Sequence, residues 1–365
     1  MQSRFKERLS YQTDPQELEE FMKQNNLDHD TSAQEPKQRE EPAKEIRQER
    51  TPLHLAAECG YANFAVTLIE HGDDINAVDA KGRTPLHVAV QAKKEAEQEV
   101  EQEAEQEAEQ EAEQEAEQEA ELEKVVRLLI ERGANMNIKD HDGLTPLHLA
   151  VVLRSVTLAH LLVQAGANLH TVDAKGQTPL HAAIQAGKDE MVCLLIERGA
   201  NMNMKDQDGL TPLHLAVMLR SATLAHLLIQ AGANLHAVDA KGQTPLHAAI
   251  QAGKDEMVCL LKERGVDVNI KDQDGLTPLH LAVLLRSVTL ARLLVHAGAN
   301  PRAEDADGHT PFLIAYLFEE DEILELFLGT KCSKAEAGPS STLRRLLANM
   351  RPWAMVRSVV FRQSD

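Results

Sequence analysis

The chain has 365 residues, a formal net charge of −20 and only 3% aromatic residues. Its length admits two or three ordinary domains, but a single compact core would spread large anchors throughout, and here all eleven aromatics lie outside the stretch from Ala65 to Pro311. The acidic balance argues against sequence-independent affinity for nucleic acid or anionic lipid, because a phosphate backbone rewards clustered Lys and Arg.

Residues 1–45 mix charges with Pro36 and Pro42 and are expected to form a mostly disordered tail, with a short helix after Asp14 and Pro15 carrying Leu18, Phe21 and Met22. The opening MQSRFKERLSYQ lacks the apolar run of a secretory leader, and no uncharged stretch reaches about 18 residues, so neither a leader nor stable membrane insertion is expected. Four cysteines occur without a CxxC pair. Cys193 and Cys259 occupy equivalent places in repeated segments and are expected to be small core residues too distant for a disulfide. This suits a reducing compartment, and the chain is assigned to the cytoplasm or nucleus.

From residue 46 to 330 the chain repeats. A Thr-Pro pair begins at Thr51, Thr84, Thr145, Thr178, Thr211, Thr244, Thr277 and Thr310, with a constant step of 33 in the numbering except for one interval of 61. Such a period signals an array in which no unit buries its own apolar face and stacking supplies the core. In the unit from Asp173 to Lys205, Thr178 is a helix N-cap and Pro179 fits the first helical turn. Ala182, Ala183 and Ala186 allow close approach, and Gly187 breaks the first helix. Met191, Leu194 and Leu195 give the second helix an apolar face, and Gly199 closes it in a left-handed cap. Asp173 and Gly176 shape the intervening turn.

This unit resembles the ankyrin repeat, with its DxxGxTPLHxAA signature, second helix and GAxxN ending; TPLH itself stands at seven of the eight Thr-Pro sites. The resemblance implies an all-α solenoid of helix-turn-helix units joined by short β-turn or hairpin connections. Its eight repeats would span 46–78, 79–139, 140–172, 173–205, 206–238, 239–271, 272–304 and 305–330. Departures lie at the ends: Ile46 and Glu49 replace the first repeat's Asp and Gly, and the last repeat reads TPFLIA. Tyr61, Phe64, Phe312, Tyr316, Phe318 and Phe327 are expected to seal the two ends of the core. A second period of 66 is nested in the first, since residues 173–238 and 239–304 differ at only thirteen positions.

The interval of 61 holds an insert, residues 95–122, with fourteen Glu and no basic residue. It falls between the two helices of repeat two, where Lys93 replaces the usual glycine. Glu, Ala and Gln favour a helical arm, but alanine recurs at every fourth position and walks around the helix, so no coiled-coil seam forms. Residues 331–365 carry seven basic and two acidic side chains, with Leu343, Leu346, Leu347 and Met350 at helical spacing, a basic amphipathic segment. Thr342 to Leu346 resembles the start of a SOCS box, although Leu347 stands where that motif has cysteine and no Leu-Pro follows.

The sixteen histidines invite a metal assignment, but seven belong to TPLH. In ankyrin repeats that histidine bonds the Thr cap and the adjacent turn, and copies a repeat apart cannot share one zinc, whose ligand nitrogens must lie at about 2 Å. His160 and His226 are expected at the surface. No phosphate loop, nucleophile elbow or catalytic constellation is present, and neither an enzyme nor a cofactor is expected.

The resemblance instead implies a monomeric adaptor that binds a protein along the groove of first helices and turn tips. Regulation of a transcription factor, as by the inhibitor-of-NF-κB group, and substrate reception for a ubiquitin ligase are the alternatives. Contact residues are expected in three repeats, at Val152, Leu153 and Arg154, at Met218, Leu219 and Arg220, and at Leu284, Leu285 and Arg286. Intervening repeats carry Gln185-Ala186 and Gln251-Ala252 there. Aliphatic anchors beside Arg are a common hot-spot combination, although Leu153, Leu219 and Leu285 are equally compatible with packing inward. Family resemblance also marks Asn76 and Asn269 as sites of asparaginyl hydroxylation, each in an Asp-aliphatic-Asn triplet that a leucine precedes by six positions.

Overall fold

The computed structural model describes residues 50–100 and 108–328, without the side chains of 93–119. The expected helix around Leu18, residues 101–107 of the insert, and the basic tail with its SOCS-box resemblance lie outside the described residues. Among the described residues there are sixteen helices and no strand. The chain divides into two compact units between Ala134 and Asn135.

The first unit contains α1 (Pro52–Glu58), α2 (Ala62–Glu70), α3 (Pro85–Val100) and α4 (Ala108–Glu131). First helices pack together, α1 on α3, and second helices likewise, α2 on α4. Helix continues into the Glu-rich insert from both sides, as α3 runs for 16 residues and α4 for 24. The base of this arm is packed. Leu122, the last residue of the expected insert, is only 6% exposed. A Cβ added to Gly60, which has φ +76, would lie 3.5 Å from the Glu121 Cβ. The arm therefore leaves the packed array on the N-terminal side of Glu121.

The second unit contains six helix pairs. They are α5 (Pro146–Val152) with α6 (Val156–Gln164), α7 (Pro179–Ala186) with α8 (Asp189–Glu197), and α9 (Pro212–Met218) with α10 (Ala222–Gln230). There follow α11 (Pro245–Gln251) with α12 (Asp255–Glu263), α13 (Pro278–Leu284) with α14 (Val288–His296), and α15 (Pro311–Leu317) with α16 (Asp321–Leu328). Each pair packs on the next, giving an all-α solenoid built from one local recipe.

The recipe begins at the cap. The Thr178 N–H donates to His181 Nδ1 at 3.2 Å, while the His181 N–H reaches Thr178 Oγ1 at 3.5 Å, a reciprocal capping box in which histidine replaces the usual Glu or Gln. Because Nδ1 accepts, the ring proton sits on Nε2, which donates to the Leu210 carbonyl of the following repeat at 3.2 Å. Equivalent bonds run from His148 to the Gln177 carbonyl, from His214 to Gln243, from His247 to Leu276 and from His280 to His309. Each histidine thus fastens its own helix start and the neighbouring repeat.

Turns are stitched in the same way. Asp173 Oδ1 accepts the Lys175 and Gln177 amides, both at 2.8 Å. The Ala240 N–H donates to the Asp208 carbonyl of the preceding repeat at 2.9 Å. Gly209 can be nothing else, since its φ is +75 and a Cβ there would meet the Ala240 nitrogen at 2.5 Å. Leu213, Leu224 and Leu228 are almost wholly buried between helix layers, and burying such a leucine contributes roughly 1.5–3 kcal/mol.

The structure departs from three expectations. Cys193 and Cys259 are half-buried free thiols rather than core residues. His160 and His226 are also half-buried rather than fully at the surface. The terminal aromatics do not seal the ends: Tyr61, Phe64, Phe312, Tyr316, Phe318 and Phe327 all remain partly exposed, since each terminal layer lacks a further described repeat to cover it.

Candidate protein-interaction groove

The three expected contact triplets fall at the C-terminal ends of α5, α9 and α13, all in the second unit. Their apolar members face solvent: Val152 is 51% exposed, Met218 52%, Leu219 51% and Leu285 44%. Leu153 and Leu284 are half-buried, while Arg154, Arg220 and Arg286 are exposed. Of the residues compatible with inward packing, Leu153 is half-buried whereas Leu219 and Leu285 are exposed. In the alternating repeats Gln185 and Gln251 are exposed and Ala186 and Ala252 half-buried.

The backbone of these arginines is not visible in the residue pattern. Arg154, Arg220 and Arg286 have φ of 60°, 60° and 55°, the left-handed conformation that Gly187 and Gly253 adopt at the same place with φ of 66° and 65°. The Arg154 N–H donates to Val151 O and the Ser155 N–H to Ala150 O, which closes α5 in a Schellman motif. A side chain in this conformation costs roughly 1–2 kcal/mol, which glycine avoids. The only sequence signal was position: Arg occupies the column that Gly60, Gly187 and Gly253 fill in other repeats.

Arg286 is tied down, with Nε 3.3 Å from Glu320 Oε1 and its guanidinium 5.2 Å from the Phe318 ring centroid. Arg154 and Arg220 form no ion pair among the described residues. Beside the first rung lies an open cleft of about 530 Å³, whose walls include Val152, Arg154, Lys175, Gln177, Gln185 and Ala186. It joins a helix end, a turn tip and the next first helix, and its walls mix aliphatic and amide groups with both cationic and carboxylate side chains, the latter from Asp142 and Asp173.

Asn76 and Asn269 both sit in turns. Asp74 Oδ1 accepts the Asn76 amide and Asp267 Oδ1 the Asn269 amide, each at 2.9 Å. The Asn269 side chain is held at both ends, with Oδ1 accepting the Asn300 amide at 2.8 Å and Nδ2 donating to the Gly298 carbonyl at 3.2 Å. Among the described residues no group of His, Cys, Asp or Glu is arranged to hold a metal ion, and no helix is long and apolar enough to cross a membrane.

Comparison with known proteins agrees with this geometry. The family model "Ankyrin repeats (3 copies)" matches residues 18–100, 115–206, 187–272 and 255–337. Human Rabankyrin-5 is 32% identical over 125 residues, 34% of this chain and 8% of that protein. The NF-kappa-B inhibitor cactus of Drosophila melanogaster is 50% identical over 44 residues, 12% of this chain and 9% of that protein. The chain thus spans less than a tenth of these curated relatives. The solved ankyrin repeat domain of Bcl-3, a member of the IkappaB protein family, is similar with a TM-score of 0.56 and 29% identity, covering 68% of this chain and all of that one. With matches over most of its length and a Thr-Pro helix start with a helix pair in each repeat, the chain belongs to the ankyrin-repeat family, whose repeats serve protein–protein interaction.

Proposed function

We propose that this protein is a non-enzymatic adaptor that captures a protein partner along the groove of its second unit, with Val152, Met218, Leu219 and Leu285 as apolar anchors. Arg154 and Arg220 pair with the partner's carboxylates. The observation that carries this reading is the left-handed arginine. Three times the chain places a long cationic side chain where glycine would be less strained and where the interleaved repeats have Gly187 and Gly253, although Glu319 adopts the same conformation in the last repeat. Such a cost is tolerated where a side chain has a use.

The test separates binding from folding. Changing Arg154 and Arg220 together to Gly relieves backbone strain, so the thermal midpoint should hold or rise, while partner capture falls at least ~10-fold because charged contacts beside apolar anchors are typical hot spots. Capture unchanged in the stabilised variant would defeat the proposal. Val152→Gln with Met218→Gln should weaken capture at an unchanged midpoint.

A second reading, regulation of a transcription factor, is favoured by the similarity to Bcl-3 over the whole of that domain. Co-purification of a Rel-type protein with the intact chain would support it, and co-purification of elongin or cullin would support a ubiquitin-ligase receptor. Hydroxylation at Asn76 and Asn269 is a further proposed property. The doubly bonded Asn269 side chain should react only when its turn opens, and peptide mass mapping after hydroxylase treatment would show an added oxygen at either residue.

A further inference from the structure

The last helix pair is uncovered where an interior pair is sealed. Position by position, residues that α9 and α10 bury between neighbouring repeats are still apolar in α15 and α16 but reach solvent. Leu213, Val217, Ala225 and Leu228 are at most 1% exposed, whereas their counterparts Phe312, Tyr316, Leu324 and Phe327 are half-buried. Ile229 is 8% exposed and its counterpart Leu328 49%. Phe312 and Phe327 meet on this face, with ring centroids 6.3 Å apart. A terminal repeat normally presents a polar outer face; this one keeps the apolar face of an interior unit. It is also anionic, since residues 311–328 contain five carboxylates and no Lys or Arg.

We propose that this face is covered by the chain's own basic segment around residues 340–352. Thirty-seven residues follow Leu328, and within them Leu343, Leu346, Leu347 and Met350 recur at the spacing of one helical face, flanked by Arg344, Arg345 and Arg351. The apolar stripe matches the apolar end layer, and the arginines match Glu319, Asp321, Glu322 and Glu325 at its edge. The tether suffices. Fifteen residues from Leu328 to Leu343 span up to roughly 50 Å when extended, against helices of seven or eight residues that are each about 12 Å long. The segment acts as a ninth layer without repeat sequence, and its basic charge is taken up within the molecule.

Hydrogen exchange on the intact chain tests this. The pair Leu343→Asp with Leu347→Asp, and separately Arg344→Glu with Arg345→Glu, should speed exchange of backbone amides in 311–328 by ~10-fold or more, as expected when a local layer opens. Amides of 206–238 should be unaffected, which shows that the array itself remains folded. Adding Glu322→Arg and Glu325→Arg to the charge-reversed chain should restore part of the protection. Two outcomes would overturn the inference: exchange in 311–328 identical in all chains, or protection that disappears on dilution together with a dimer in sedimentation, which would make a second copy the cover.

Discussion

The TPLH histidines of the structure are buried at 0% exposure in every described copy. Burial holds His54, His148, His181, His214, His247 and His280 below the usual 6.5, and the opposing pull of the carbonyl of the next repeat and nearby aspartates does not cancel it. The unfolded chain binds protons near pH 6.5 while the folded chain binds them only at lower pH, so unfolding takes up protons between the two. Stability is therefore fully present above the unfolded value and is lost as pH falls below it. Urea midpoints should drop between pH 7 and 5. Because Gln keeps the capping box, His181→Gln with His214→Gln should flatten that slope by about a third, two groups of six; an unaltered slope would locate the acid sensitivity elsewhere. These histidines were legible in the sequence because their bonds are local and repeated. The arginines' backbone was not, since Arg seldom adopts a left-handed conformation and only comparison with Gly187 and Gly253 hints at it.

At the scale of elements, helix starts could be read directly from Thr-Pro, and each Thr-Pro in the described residues opens a helix. Where an element stops was harder to read. Glu, Ala and Gln carry no stop signal, so nothing in the residue pattern separates Leu122 from the low-complexity run before it, although packing against the turn at Gly60 does so. Deleting residues 95–118 keeps Glu121 and Leu122, and the denaturation midpoint should hardly change, because shortening a surface connection alters closure entropy only logarithmically. Deleting 95–122 also removes a buried leucine and should lower stability by roughly 1.5–3 kcal/mol. Equal midpoints for the two deletions would show that Leu122 contributes nothing. Exposure of the groove residues was undecidable from pattern alone, since Leu153 and Leu219 occupy the same column but differ in burial.

For the whole molecule, two units imply unequal independence. The second contains six pairs and the first two, and about three repeats are needed before stacking outweighs chain entropy. Residues 135–365 alone should unfold in one cooperative transition by circular dichroism, whereas residues 1–134 should show none. A sharp transition in the shorter fragment would mean that its long α4 supplies stability that stacking of two repeats does not. The division falls inside the insert-bearing repeat 79–139, within the interval of 61, where the repeat pattern itself sets no boundary.

The doubled period has a consequence for how a ligand finds its place. Equivalent rungs at Arg154, Arg220 and Arg286 stand two repeats apart, so a partner engaging two neighbouring rungs meets the same chemistry in two alignments and can slide between them. Such degeneracy speeds capture and blurs position. On the proposed reading, the tie from Arg286 to Glu320 and Phe318 removes the symmetry, since among the described residues only that rung has an ion pair to break. A partner bound as proposed would thereby have a preferred direction along which it comes to rest.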